Sequence, residues 1–323
     1  MNWPLVSVVI PVRNEEVFIE RCLGAVLSQD YPPEKIEILI ADGMSDDNTV
    51  EIIRRMYGTD RIRIFPNPER IQSAGLNIVI PRANGKYLIR IDGHTIIAPD
   101  YVRRCVELLE ETGAHNVGGA MDPAGITPTG KAIAAAGKSP FAVPSAFHVS
   151  STPQFTDTVY LGAWPRQVFD QVGLYNTKVG VNEDYELNYR IREAGGWIYF
   201  SPDIKSVYYG RQTLSALARQ YFRYGKSKVK TLANHPKSLR PRQLIAPLFV
   251  AGLVLGPLLC LLIPALWPLW FAGIGLYVAA AIFFAVRTAT PLDVLWRIPV
   301  VFFVIHICWG AGFWVGLSDL GRQ

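Results

Sequence analysis

Three segments far apart in the chain carry carboxylates in settings where a carboxylate can do chemistry. Asp42 stands in Ala41-Asp42-Gly43-Met44-Ser45-Asp46-Asp47, directly after an apolar, β-branched run. An acid there can accept hydrogen bonds from a base or a ribose, and the following glycine lets a ligand approach the backbone. Asp-Gly after a strand is equally an ordinary turn. Asp92-Gly93-His94 follows Ile89-Arg90-Ile91. An acid and an imidazole two residues apart can share a divalent cation, and such an ion offsets the charge of a diphosphate. The bland reading is a turn with a capping aspartate. Glu183-Asp184 opens a helix in Val181-Asn182-Glu183-Asp184-Tyr185-Glu186-Leu187. Such a pair suits a general base that takes a proton from a hydroxyl, although the helix dipole alone favours acids in a first turn. A fourth segment, Arg219-Gln220-Tyr221-Phe222-Arg223-Tyr224-Gly225, sets arginines and aromatics at helical spacing. It reads either as an interfacial amphipathic helix or as a clamp for a diphosphate, whose oxygens arginine binds in pairs.

These residues need a scaffold that gathers strand ends. Val6-Ser7-Val8-Val9-Ile10-Pro11 reads as a strand buried on both faces, and Glu16 to Gln29 as a helix with Phe18, Ile19, Cys22, Leu23, Val26 and Leu27 on one side. The unit recurs: strands at Ile36–Ala41, Ile62–Phe65 and Tyr87–Ile91 alternate with helices at Asn48–Tyr57 and Ser73–Ala83. Alternation of this kind predicts an α/β domain with a mostly parallel sheet, in which ligands collect at the carboxyl ends of the strands. Residues 120–160, rich in Gly, Pro, Ala, Ser and Thr, read as a long functional loop. Order returns at Thr158–Leu161 and Arg166–Val172, and in a helix from Asp184 to Ala194.

The chain has 323 residues, room for one catalytic domain and an appendage. Its mean hydropathy of +0.19 hides an asymmetry. From Leu244 to Val286 no residue is charged, and a bilayer crossing takes about 20 residues. Pro264 and Pro268 mark the turn, so spans are predicted at 244–263 and 269–286, with a third apolar run at 298–317 that either crosses or is re-entrant or interfacial. The expected division is a catalytic domain over 1–212, an interfacial basic segment over 213–243 and a membrane domain over 244–323. Lys226, Lys228, Lys230, Lys237, Arg240 and Arg242, with no acid among them, place that segment on the cytoplasmic side. Met1-Asn2-Trp3-Pro4 runs directly into an apolar strand without a basic stretch or cleavage site, so no signal peptide is expected. Cys22, Cys105, Cys260 and Cys308 have no framework or metal-ligand spacing and read as buried thiols. The net charge of +5 comes from the basic segment and does not indicate nucleic acid.

In order, Val8-Val9-Ile10-Pro11-Val12-Arg13-Asn14-Glu15-Glu16, Asp42-Gly43-Met44-Ser45-Asp46-Asp47-Asn48-Thr49, Asp92-Gly93-His94 and Glu183-Asp184 resemble the motifs of family 2 glycosyltransferases with the A-type nucleotide-diphospho-sugar transferase fold. Within that family the chain looks most like bacterial exopolysaccharide glucosyltransferases of the succinoglycan type. The resemblance implies that Pro11, Arg13 and Glu15 line the nucleotide pocket and that Asp42 holds the uracil or ribose, with Arg90 and Asp92 in the donor-binding set. Asp92 matches the first acid of the D-x-D metal motif, and His94 stands where its second acid would be, facing Mg2+ or Mn2+. Asp184 matches the catalytic base, with Glu183 beside it. Gln220, Arg223 and Tyr224 resemble the Q-x-x-R-W element over the donor diphosphate and acceptor, with tyrosine in place of tryptophan. The implied activity is inverting transfer of a sugar, glucose by this resemblance, from a UDP-sugar to a polyprenyl-diphosphate-linked saccharide. The product would enter exopolysaccharide or cell-surface glycan, and the enzyme would be a multi-pass protein of the bacterial cytoplasmic membrane with its catalytic domain in the cytoplasm. The alternatives are a processive polysaccharide synthase, distinguished by product length, and an inactive nucleotide-sugar binding module, which would lack the base or the first metal acid.

Overall fold

β1 (Val6–Val12) is buried along its whole length, and its side chains alternate between two cores: Val6, Val8, Ile10 and Val12 enter one, Val9 the other. β2 (Ile36–Asp42) divides in the same way, with Ile36, Ile38 and Ile40 on the first side and Leu39 and Ala41 on the second. A strand with no polar face must be covered twice, which is why these runs are continuously apolar. α1 (Ile19–Leu27) is among the helices that cover the first face, and α3 (Gln72–Val79) covers the second. α2 (Thr49–Tyr57) connects β2 to β3 (Ile62–Pro66), and α3 connects β3 to β4 (Tyr87–Arg90).

The computed structural model describes residues 3–57, 62–142, 150–179 and 183–321. Val181 and Asn182, part of the motif before Glu183, lie outside the described residues, as do 143–149 of the expected loop region. Among the described residues the sheet has nine strands in the order β3-β2-β1-β4-β8-β6-β9-β5, with β7 beside β9. Here β5 is Thr95–Ile97, β6 Asn116–Ala124, β7 Gln154–Thr156, β8 Tyr160–Pro165 and β9 Ile198–Tyr209, with α4 (Tyr101–Thr112) after β5 and α6 (Gln167–Val172) after β8. β1 to β4 pair in parallel, as alternation predicts, and β8 continues the sheet antiparallel to β4. The register sets Val12 opposite Asp42 and Val9 opposite Arg90, so the carboxyl ends of β1, β2 and β4 emerge on one edge.

The expected long loop over 120–160 is corrected: it holds the end of β6, a helix, β7 and the start of β8. The helix, α5 (Pro128–Gly137), has Thr127 at its N-cap accepting from the Gly130 amide at 2.9 Å, and proline at its first position. Its alanines lack the contrast that makes helical periodicity visible. Gly125, within 120–160, has a packing cause, since a Cβ there would lie 2.0 Å from the backbone of Gly130 in α5.

The chain forms two compact units, Met1–Asp122 with Ser145–Tyr208, and Pro123–Pro144 with Tyr209–Gln323. The sheet belongs to the first. The second contains α5, α8 (Leu214–Asn234), α9 (Ile245–Leu262), α10 (Trp267–Val286), α11 (Leu292–Leu295) and α12 (Ile298–Leu320). Three stretches, Pro241–Leu262, Pro264–Val286 and Leu292–Leu320, are long and apolar enough to cross a membrane. Leu248, Leu261, Leu262, Leu269 and Leu276 are more than 60% exposed, a surface suited to hydrocarbon. Cys22, Cys105 and Cys260 are buried thiols as expected, but Cys308 is half-buried.

α12 is arranged differently from α9 and α10. Ile298, Val301 and Phe302 share a core with Ala281 and Ala285 of α10. Further along, Trp314 Nε1 donates to the Pro247 carbonyl at 2.9 Å, and Gly310 lies against Ala246. All these partners sit where α9 begins and α10 ends, so α12 runs across that end of the hairpin. Its other side is taken by α8, and Lys226 of α8 pairs with Asp319 at 2.6 Å. Backbones nearly touch there: a Cβ on Gly225 would lie 2.0 Å from the Trp309 carbonyl oxygen, and one on Gly312 would lie 2.1 Å from that of Phe222. Gly225→Ala and Gly312→Ala are each expected to destabilise by about 1–3 kcal/mol. Gly273→Ala, with no atom within 4 Å of the added Cβ, serves as the control. Thermal unfolding in detergent checks this, and equal midpoints for all three variants would contradict the close contact. The basic segment is not uniformly solvated: Lys228 is buried and its Nζ donates to the Ser238 carbonyl and hydroxyl at 3.0 and 3.3 Å.

Candidate active site

The site grows from the loops that follow β1 and β2. Asn14 and Met44 both take left-handed backbone angles, φ 56° each, which turn the two chains toward one another. Asn14 Nδ2 donates to Asp46 at 2.6 Å, the Glu15 amide to Thr49 Oγ1 at 2.8 Å, and the Glu16 amide to Asp47 at 3.1 Å. Asp46, Asp47 and Thr49 therefore knit the loops together. Asp42, at the end of β2, is buried and accepts from the Ser45 hydroxyl at 2.6 Å and from its amide at 3.2 Å. Pro11 is buried within β1, beside Ala41, and Arg13 is exposed in the following loop.

Arg90 is the hub. It ends β4 with its guanidinium almost fully buried, donates through Nε to Asp92 Oδ1 at 2.9 Å, and sets Nη1 3.2 Å from Glu183 Oε1. Nη1 pairs with Glu183 by charge without the alignment of a hydrogen bond. One cation thus joins the strand end at β4 to α7 (Glu183–Glu193), bringing together two segments that are distant in the chain. Gln72 Nε2, at the start of α3, also donates to Asp92 Oδ1, at 3.0 Å. Periodicity does not single out Gln72. Tyr175, buried close to Arg90, has its backbone clamped by the Asn77 amide group at 2.8 and 2.9 Å.

The charges respond to this packing. Burial pushes the Asp92 carboxyl up, but the Arg90 guanidinium outweighs it and holds the group below the usual range, so Asp92 stays ionised. Desolvation pushes Glu183 up to about 7, against the pull of Arg90 and with a push from Asp184. Asp184 is also raised, again by desolvation first, with Arg90 opposing. Asp184 sits in the first turn of α7, and its Oδ1 accepts from the Tyr185 amide at 2.7 Å.

His94 Nδ1 lies 2.7 Å from Glu15 Oε1, which fixes the ring and presents Nε2 on its opposite edge. Tyr208 meets the ring edge-on at 5.2 Å. Glu15, expected against the nucleotide, is thus also the orienting partner of His94. Among the described residues no group of three or more His, Cys, Asp or Glu side chains is arranged to hold a metal. An ionised aspartate and a carboxylate-oriented imidazole nevertheless fit a cation that takes its remaining ligands from phosphate oxygens, since among the described residues Asp92 Oδ2 makes only a long 3.4 Å contact, to Arg90.

The structure brings Arg90, Asp92 and Glu183 into one cluster, with Asp184 beside it, and pairs Glu15 with His94. Asp42 sits on the same strand-end edge, bonded within its own loop. Gln220, Arg223 and Tyr224 lie on α8 of the second unit, where Gln220 Nε2 donates to the Tyr224 hydroxyl at 2.8 Å.

Residues 7–142 match the family described as Glycosyl transferase family 2. The succinoglycan biosynthesis protein ExoA of Rhizobium meliloti is 34% identical over 98% of this chain and 96% of its own. A dolichyl N-acetyl-alpha-D-glucosaminyl phosphate 3-beta-D-2,3-diacetamido-2,3-dideoxy-beta-D-glucuronosyltransferase of Methanococcus voltae is 28% identical over 98% of each chain. Among solved structures, the mannosyltransferase PcManGT from Pyrobaculum calidifontis, in complex with GDP-Man and Mn2+, superposes with a TM-score of 0.63 at 19% identity, over 99% of this chain and 88% of that one. The likeness shows the A-type fold that the motifs imply.

Proposed function

Because the chain belongs to glycosyl transferase family 2, we propose that it is an inverting hexosyltransferase that moves a sugar, glucose in our reading, from a UDP-sugar to a polyprenyl-diphosphate-linked saccharide. The observation that carries this is the Arg90 hub, which sets a metal-competent acid, Asp92, and the Glu183-Asp184 pair around one buried cation at the strand ends. Asp42, Pro11, Arg13 and Glu15 bind the nucleoside part of the donor. The reaction is a single displacement. The acceptor hydroxyl oxygen bonds to the anomeric carbon as the bond to the β-phosphate oxygen breaks, and Asp184 takes the hydroxyl proton. Burial that raises the acid pair supports this role, because a base works best when it titrates near the working pH. Asp92 and His94 would hold a divalent cation, which supplies charge neutralisation to the leaving diphosphate. The structural neighbour PcManGT, solved with GDP-Man and Mn2+, supports a divalent cation in the reaction. Gln220, Arg223 and Tyr224 contribute to holding the diphosphate and acceptor.

The acceptor class rests on the names of the two relatives, one of succinoglycan biosynthesis and one acting on a dolichyl phosphate-linked sugar, and on the apolar hairpin. In this reading α9 and α10 cross the cytoplasmic membrane with the basic segment and catalytic unit inside, and α12 lies along the inner interface. A panel of radiolabelled UDP-sugars, given to the purified protein with bacterial lipid extract, tests the proposal. One sugar should pass into the organic phase, one residue per acceptor, and EDTA should abolish that transfer with Mn2+ restoring it. Long polymer instead of single addition would favour a processive synthase, and transfer undiminished by chelation would remove the cation from Asp92 and His94.

A further inference from the structure

Within the second unit a cavity of about 620 Å³ opens between α5, the turn before it and the end of α10. Lys131, Ala134 and Ala135 of α5 and Lys138, its C-cap, recur at steps of three and four, so they share one side of the helix toward it. The alternate face, through Ala132 and Ala136, is packed in the apolar core with Ile298, Val301 and Phe302 of α12. Arg287, directly after α10, brings a third cation to the wall, and Phe284 supplies apolar surface. None of the described lining residues is acidic. The site joins a cluster of positive charge to an apolar wall, and it lies at the end of a 20-residue apolar helix. That end of a bilayer-crossing helix is where headgroups begin. The volume falls in the range of small-ligand sites, roughly 300–1,000 Å³.

We propose that this cavity holds the phosphate head of a membrane lipid, with Lys131, Lys138 and Arg287 on the phosphate oxygens and the first carbons of the chain against Phe284. A water-soluble anion would gain nothing from the apolar wall, and a neutral lipid nothing from three cations. The phosphate-bearing lipid is either the polyprenyl carrier, which rests on the transfer reading above, or a bulk anionic phospholipid, which does not.

The test uses the full-length protein in nanodiscs of phosphatidylcholine alone, or doped with polyprenyl phosphate or with phosphatidylglycerol, and measures lipid retained after release into detergent by native mass spectrometry. The wild type should retain a doped lipid over phosphatidylcholine. K131Q/K138Q should reduce that retention about tenfold, as removal of two phosphate-facing charges implies. Ala135→Phe, which keeps every charge but fills the space, should reduce it as well, and Lys230→Gln, on α8 and outside the lining set, should leave it unchanged. Preference for polyprenyl phosphate identifies the carrier, and preference for phosphatidylglycerol identifies bulk lipid. No preference in the wild type, or equal retention by the cavity variants, would overturn the site. Because retention is read without any sugar transfer, the cavity and the transferase reading can fail separately.

Discussion

Asp184→Asn is expected to lower turnover by about 10²–10⁴-fold, the usual contribution of a positioned general base, while the affinity for the UDP-sugar stays near the wild-type value. The asparagine keeps the size and the acceptor oxygen that meets the Tyr185 amide, so the first turn of α7 survives. What it loses is a lone pair basic enough to take a proton. Glu183→Gln separates the two acids: it removes the partner of Arg90 and is expected to weaken both stability and rate, without the selective loss of turnover. Turnover retained in Asp184→Asn but lost selectively in Glu183→Gln would transfer the base role to Glu183. The pH profile supplies the second arm. Both acids are raised, Glu183 to about 7, so each holds its proton to a higher pH than a free carboxylate and loses its ionised form as the pH falls through its own raised value. For the wild type, kcat/KM should therefore fall by about tenfold per pH unit along an acid limb that lies above the range of an ordinary aspartate. A profile flat down through the range of an ordinary aspartate would refute a raised base drawn from this pair.

Arg90→Leu has the largest expected effect on stability. The guanidinium is the shared partner of two buried carboxylates, so its removal leaves Asp92 and Glu183 near each other without a counter-charge. Breaking a buried ion pair from one side costs about 3–5 kcal/mol, because the remaining charge is stranded. The deficit should shrink as the pH is lowered, since protonating Glu183 removes the repulsion that Arg90 normally offsets. Arg90→Lys retains the charge without the planar fork and should fall between the two. Denaturant unfolding in detergent, with the double variant Arg90→Leu/Glu183→Gln as a partial rescue, checks the account. A loss below about 1 kcal/mol for Arg90→Leu would show that the cluster tolerates an uncompensated acid and that Arg90 is no hub.

Arg90 also marks the line between what was readable in the chain and what was not. Its place on a strand leading to Asp92 follows from Ile89-Arg90-Ile91-Asp92, and its bond to Asp92 is local. The pairing with Glu183 depends on α7 reaching the end of β4, and no pattern in either segment announces it. The same holds for Gln72, which meets Asp92 only because α3 packs on the second face of the sheet, and for Glu15, whose imidazole partner is 79 residues away. Gly125 and the alanines of α5 misled for a related reason: composition normally typical of loops was there for close backbone contact and for a helix buried among others.

By itself, then, the amino-acid order determined what depends on neighbours in the chain. It set the continuously apolar parallel strands, the helices between them, the charge-free run from Leu244 to Val286, and the motifs that mark the family. Tertiary structure alone decided which side chains meet: Arg90 with Glu183, Glu15 with His94, Gly225 with Trp309, and α12 across the hairpin instead of beside it. The physical reason is that hydrophobic periodicity reports only how a segment faces its surroundings. A contact between distant residues follows from register, crossing direction and packing distance, and these exist only once the segments have been assembled.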